Sequence, residues 1–162
     1  MQTFLPDPDF RQSALLLDRR RLGKQRVETL QVLRGLTVPG YGWRHHPAVR
    51  MWTGYEEALV RYGLEVCRVW CEQGHQDSCA TSLLAGLPAP RPGTAVRDQR
   101  QLAADGELPP WLGDEAFHES HRSALLRKDP QTYAEMFAGT PDDLPYVWPA
   151  SDRDARRAPA ER

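Results

Sequence analysis

Glu28 follows five basic side chains, Arg19, Arg20, Arg21, Lys24 and Arg26, in the stretch LDRRRLGKQRVETLQVLRGL that spans residues 17–36. A carboxylate set beside cations suits chemistry on an anionic substrate. The cations grip phosphate, and the acid moves a proton or faces a developing positive charge. The same spacing also makes an ordinary exposed Lys24–Glu28 pair, worth about 0.3 kcal/mol.

The histidines form a second group. His45 and His46 stand just before Pro47, and Glu115, His118 and His121 recur at intervals of three. Imidazoles at that spacing converge and could hold a metal. The closed zinc signatures are absent, however, so these histidines are read as capping a helix, bonding to backbone or contacting phosphate, and no metal is expected. Cys67, Cys71, His75 and Cys79 recur every four residues. One helix face cannot surround an ion, so these are read as inert core cysteines. Tyr41, Trp43 and Arg44 share a turn-rich loop, VPGYGWRHHP, where aromatic rings beside an arginine can stack on a nucleobase.

Helices have to carry these groups. Residues 1–10 contain Pro6 and Pro8 and no helical period, which predicts an extended arm. The spacing predicts a helix over 19–36 with Asp18 as its cap. Leu22, Leu30, Leu33 and Leu36 fall on one side of it, and Arg21, Lys24, Gln25 and Glu28 on the other. Arg26 turns toward the apolar side, where it needs a partner. Trp52, Tyr55, Leu59, Tyr62, Val66 and Val69 predict one helix over 48–73, ended by Gly74. Shorter helices are expected within SCATSLLAGL, over 96–105, from Asp114 to Lys128, and from Pro130 to Phe137. PAPRPG reads as a linker, and DDLPYVWP as an irregular segment packed back on the body. No segment reads as a strand, so the expected fold is mainly α, a compact single domain over 1–150 with a disordered tail over 151–162.

With 162 residues, the chain is long enough for one domain with a real core. No apolar run approaches the roughly 20 residues of a membrane span, and the N-terminus lacks the pattern of a secretory signal. Three cysteines provide no disulfide framework. A cytoplasmic location, no membrane and a monomer are the expectations. The net charge is only -1, but residues 11–50 carry nine Arg or Lys against two acids, a local +7 that leaves -8 for the rest. One basic face on an acidic body calls for an anionic partner there.

Four segments together, LDRRRLGKQRVETLQ, WRHHPAVRMWTGYEEALVRYGLEV, PPWLGDEAFHESHRSALLRKDPQTY and DDLPYVWP, resemble a bacterial branch of the pyrimidine-dimer DNA glycosylase superfamily, of the phage endonuclease V type. The resemblance to the branch runs over nearly all of 1–150. To the phage enzyme it is remote, resting on helix order and a few positions. It implies a helical domain whose N-terminal arm threads between helices toward the active site, giving Gly23 a possible job in the arm's close passage. It implies cofactor-free chemistry on double-stranded DNA holding a damaged, modified or abasic nucleotide. An N-terminal α-amine attacks C1′ of the sugar and forms a Schiff base; a carboxylate on the first long helix assists base loss and strand cleavage.

Carried over, that carboxylate is Glu28 and the amine is that of Met1. Arg20, Arg21, Lys24, Gln25, Arg26, Arg44, His45, His46, His118, His121 and Arg122 are the expected substrate contacts. An α-amine titrates near about 8, so a useful fraction is neutral at physiological pH. The sequence departs from the phage pattern in one place. There the initiator Met is removed to expose a threonine amine, whereas here Gln2 follows Met1 and Thr3 stands one position late. The Met1 amine, Lys24 in its place, or an absence of lyase chemistry all fit that departure. A non-catalytic reader of modified or abasic DNA and a metal-dependent hydrolase using the histidines are the alternative readings.

Overall fold

The computed structural model describes residues 1–88 and 95–155, and every element it contains there is helical. In chain order these are α1 (Phe10–Leu16), α2 (Arg19–Thr37), α3 (Pro47–Arg50), α4 (Glu56–Glu72), α5 (Cys79–Gly86), α6 (Gln99–Ala104), α7 (Glu115–Lys128) and α8 (Pro130–Tyr133). The mainly α expectation holds. Most of the PAPRPG stretch lies outside the described residues.

Local chemistry sets the helix starts. Asp9, Asp18, Asp98, Asp114 and Asp129 each cap a helix by accepting a backbone N–H of its first turn. Asp18 is further held by the Tyr133 hydroxyl at 2.6 Å and Arg21 at 3.1 Å. Burial alone would raise its pKa; those hydrogen bonds outweigh it and keep the carboxyl below its usual range.

The single helix expected over 48–73 is two helices. A turn at 51–55 separates α3 from α4, and Gly54 in it adopts φ +81°. Helical backbone cannot pass through that conformation, which favours glycine. A Cβ at Gly54 would also lie 2.6 Å from Cβ of Arg153. The break lets Trp52 turn into the core, where its ring meets Trp111 at 4.9 Å and Tyr62 at 6.2 Å. α4 then packs against α1, α2 and α5. The last predicted helix is shorter than expected, with α8 closing at Tyr133.

Two further expectations change. Gly23 does not make room for the arm: a Cβ there would meet the Trp70 ring of α4 at 2.9 Å. The first residues of the expected disordered tail are packed. Ser151 donates to Thr53 O at 2.6 Å, Asp154 accepts from Arg50 at 3.1 Å, and both are buried. Residues 156–162 lie outside the described residues.

Candidate active site

The arm is built into the protein by side chains that take its backbone groups one after another. Gln25 of α2 donates to Gln2 O at 2.8 Å and accepts from Phe4 N at 3.0 Å. Tyr62 of α4 donates to Phe4 O at 2.6 Å. His121 accepts from Leu5 N at 2.9 Å, His118 pairs with Leu5 O at 2.7 Å, and Arg122 donates to Pro6 O at 2.8 Å. Thr3, fully buried, accepts from the Trp52 indole at 3.1 Å. An extended segment has no backbone partners of its own, so each buried polar group needs such a bond.

The two histidines hold Leu5 through opposite tautomers. His118 Nε2 accepts from Gly113 N at 2.9 Å, so its Nδ1 carries the proton given to Leu5 O. His121 Nδ1 accepts, so its proton is on Nε2, which is buried with no hydrogen-bond partner. Burial, and next the neighbouring His118, lowers the His121 pKa to about 3. Burial also holds His118 below its usual range.

This threading delivers Met1 to a cleft of about 350 Å³ lined by Met1, Gln2, Phe4, Arg20, Arg21, Lys24, Glu28, Lys128 and Tyr146. Its size suits a small ligand or one extruded nucleotide. The Glu28 side chain is 14% exposed and the Lys24 ammonium lies 3.5 Å from it. Lys24 itself is 72% exposed, so the ammonium stands at the mouth above the carboxylate. Tyr146 belongs to the same electrostatic neighbourhood: burial pushes its hydroxyl pKa up and Glu28 adds to the shift, against Arg127 and Arg21.

The expected site residues therefore divide. Met1, Glu28, Arg20, Arg21 and Lys24 come together around the cleft. Gln25, His118, His121 and Arg122, expected to touch substrate, are instead engaged with the arm, because an arm without a strand partner needs their donors and acceptors. Arg26 pairs with Asp77 at 2.6 Å and lies over the Trp70 ring at 4.5 Å, and it does not line the cleft. Arg44 and His45 are exposed on the 38–46 loop and do not line the cleft. His46 caps α3 by accepting from Ala48 N at 3.0 Å. Burial, then the charge of the N-terminal amine, lowers its pKa.

Lys128 and Tyr146 line the cleft without having been singled out. Lys128 ends the helix that the 114–128 spacing predicts, and Tyr146 sits in the aromatic segment expected to fold back. Neither had a local signal tying it to Glu28. Among the described residues, no three His, Cys, Asp or Glu side chains converge as a metal site. The Cys67 thiol is buried and its pKa is pushed up by that burial, and the His75 ring lies tilted against Trp70 with centroids 4.1 Å apart. No helix of the described residues is long and apolar enough to cross a membrane.

Fold and site define a class first: a helical protein whose N-terminal arm ends beside one carboxylate in a cation-rimmed cleft. A family model described as pyrimidine dimer DNA glycosylase matches residues 1–83, just over half of the 162 residues. The chain belongs to that family of DNA glycosylases, and the match contains the arm, α2 and Glu28. No curated protein and no solved structure matches it.

Proposed function

We propose that this protein is a DNA base-excision glycosylase with an AP-lyase step, acting on duplex DNA that holds a damaged, modified or abasic nucleotide. The observation that carries the reading is the shared cleft, where the end of a pinned arm and a single partly sheltered carboxylate meet under four cations. Arg20, Arg21, Lys24 and Lys128 would hold the backbone phosphates on either side of an extruded nucleotide. The Met1 α-amine would attack C1′ as the base departs with a proton, leaving a Schiff base after the sugar ring opens. Glu28 would face the positive charge that grows on the sugar, then assist loss of the C2′ proton so that the 3′ phosphate leaves.

The arm supports Met1 over a later residue. Thr3 is fully buried and bonded to Trp52, so a chain shortened to begin there would carry its amine inside the core. Lys24 and Lys128 also bring side-chain amines to the cleft, and Lys24 Nζ is the one that lies 3.5 Å from Glu28. Borohydride trapping on a duplex with one abasic site, followed by peptide mapping, separates them. An adduct on Met1 is the expected result. An adduct on Lys24 would keep the reaction and move the nucleophile. DNA binding without an adduct would remove the lyase step, and no binding would overturn the reading.

A further inference from the structure

Beside the cleft runs a line of rings that the steps above do not use. Trp43 meets His46 at 5.8 Å, His46 meets Trp148 at 5.8 Å, and Trp148 meets Tyr146, a wall of the cleft, at 5.3 Å. The two indoles at this strip are 50% and 38% exposed. A tryptophan left half in water on a rigid support is poor packing and good recognition surface.

The strip is preorganised. His46 N donates to Trp43 O at 2.9 Å, and the His46 ring is fixed by Ala48 N. The Trp148 segment is tied down on both sides, by Val147 N on Ser120 Oγ at 3.2 Å and by Ser151 on Thr53 O. The strip joins the cleft through Tyr146, which lines it together with Met1 at the arm's end.

We propose that Trp43, His46 and Trp148 form a stacking platform for an unpaired nucleobase of the duplex, adjoining the cleft that takes the reacting sugar. This assignment rests on the glycosylase reading. Extruding a nucleotide from a duplex, or meeting an abasic site, leaves a base without a partner, and its π faces need a new surface. Exposed indoles supply one without regard to sequence. The cations of the adjoining cleft set the partner's charge: Arg20, Arg21, Lys24 and Lys128 suit a phosphate backbone carrying that base. Residues 43–46 lie inside the family match and Trp148 outside it, so the platform joins the two halves of the chain.

The test compares binding to a duplex holding one tetrahydrofuran abasic analogue with binding to the same duplex fully paired, for the full chain and for Trp43→Ala, Trp148→Ala and the corresponding Phe variants. The unaltered protein is expected to prefer the abasic duplex, with quenching of tryptophan emission. Each Ala variant should lose roughly 5- to 100-fold on the abasic duplex and little on the paired one, and Phe should restore most of the loss. Folded Ala variants that keep the full preference, or that lose equally on both duplexes, would overturn the platform while leaving the glycosylase reading standing. No DNA binding by the unaltered protein would overturn both.

Discussion

In the proposed chemistry Glu28 carries the heaviest demand of the cleft's side chains. It is partly sheltered, faces Lys24 and shares the cleft with Met1. Glu28→Gln keeps shape and hydrogen-bonding capacity but removes the charge. Its turnover on a lesion-containing duplex should fall by about 100-fold or more, with duplex binding changed by less than about threefold. Single-turnover cleavage assays beside gel-shift titrations would check this, and full activity in Glu28→Gln would exclude the proposed chemistry. Arg21 has a structural tie as well, through Asp18. Its replacement should therefore lower stability along with affinity, so Arg20 is the cleaner probe of phosphate binding.

At the scale of elements, the arm and α7 form one unit. Leu5 is clasped by two buried neutral histidines, and the unfolded chain would expose both to water at their ordinary pKa of about 6.5. Below that value the unfolded state binds protons that the folded state refuses, because the folded pKa of His121 is lowered to about 3. Stability is therefore full above about pH 6.5 and falls as pH drops, by about 1.4 kcal/mol per unit for His121, with His118, also lowered, adding to the loss in the same direction. Between pH 6.5 and about 4 this loss is expected to dominate, since Asp18 and Asp77, whose pKa values are lowered from 3.8, contribute theirs only below that range. Urea midpoints measured across pH 4.5–7.5 should decline toward acid, and a flat profile would contradict the clasp. Of these elements α2 was legible in advance, because its leucines keep a helical period and Asp18 caps it. The break at 51–55 was not, since Trp52 and Tyr55 continue the helical spacing while Gly54 leaves it.

For the whole molecule, charge placement outweighs net charge. The chain totals -1, yet four cations converge on one cleft, one of them from the far end of α7. Duplex binding should weaken steeply with salt. Arg20→Ala and Lys128→Ala should each reduce the slope of log K against log salt by about 1. A slope untouched by Lys128→Ala would place the DNA elsewhere. Among the described residues, neither Arg20 nor Lys128 forms an ion pair within the protein, so both are available to phosphates.

The sequence by itself determined the helical class, the register of α2 and the position of Glu28 among its cations. Those features are local: a period of 3.6, a capping aspartate and neighbours three and four residues apart decide them. Tertiary structure decided which polar residues face the cleft and which hold the arm. Gln25 and Glu28 leave α2 on adjoining faces, and only the arm's path makes one a clasp and the other a wall of the cleft. The same holds for His118 and His121, whose partner Leu5 lies more than a hundred residues away in the chain. A hydrogen bond over that separation leaves no periodic trace, because it depends on where two elements pack and not on what either one is.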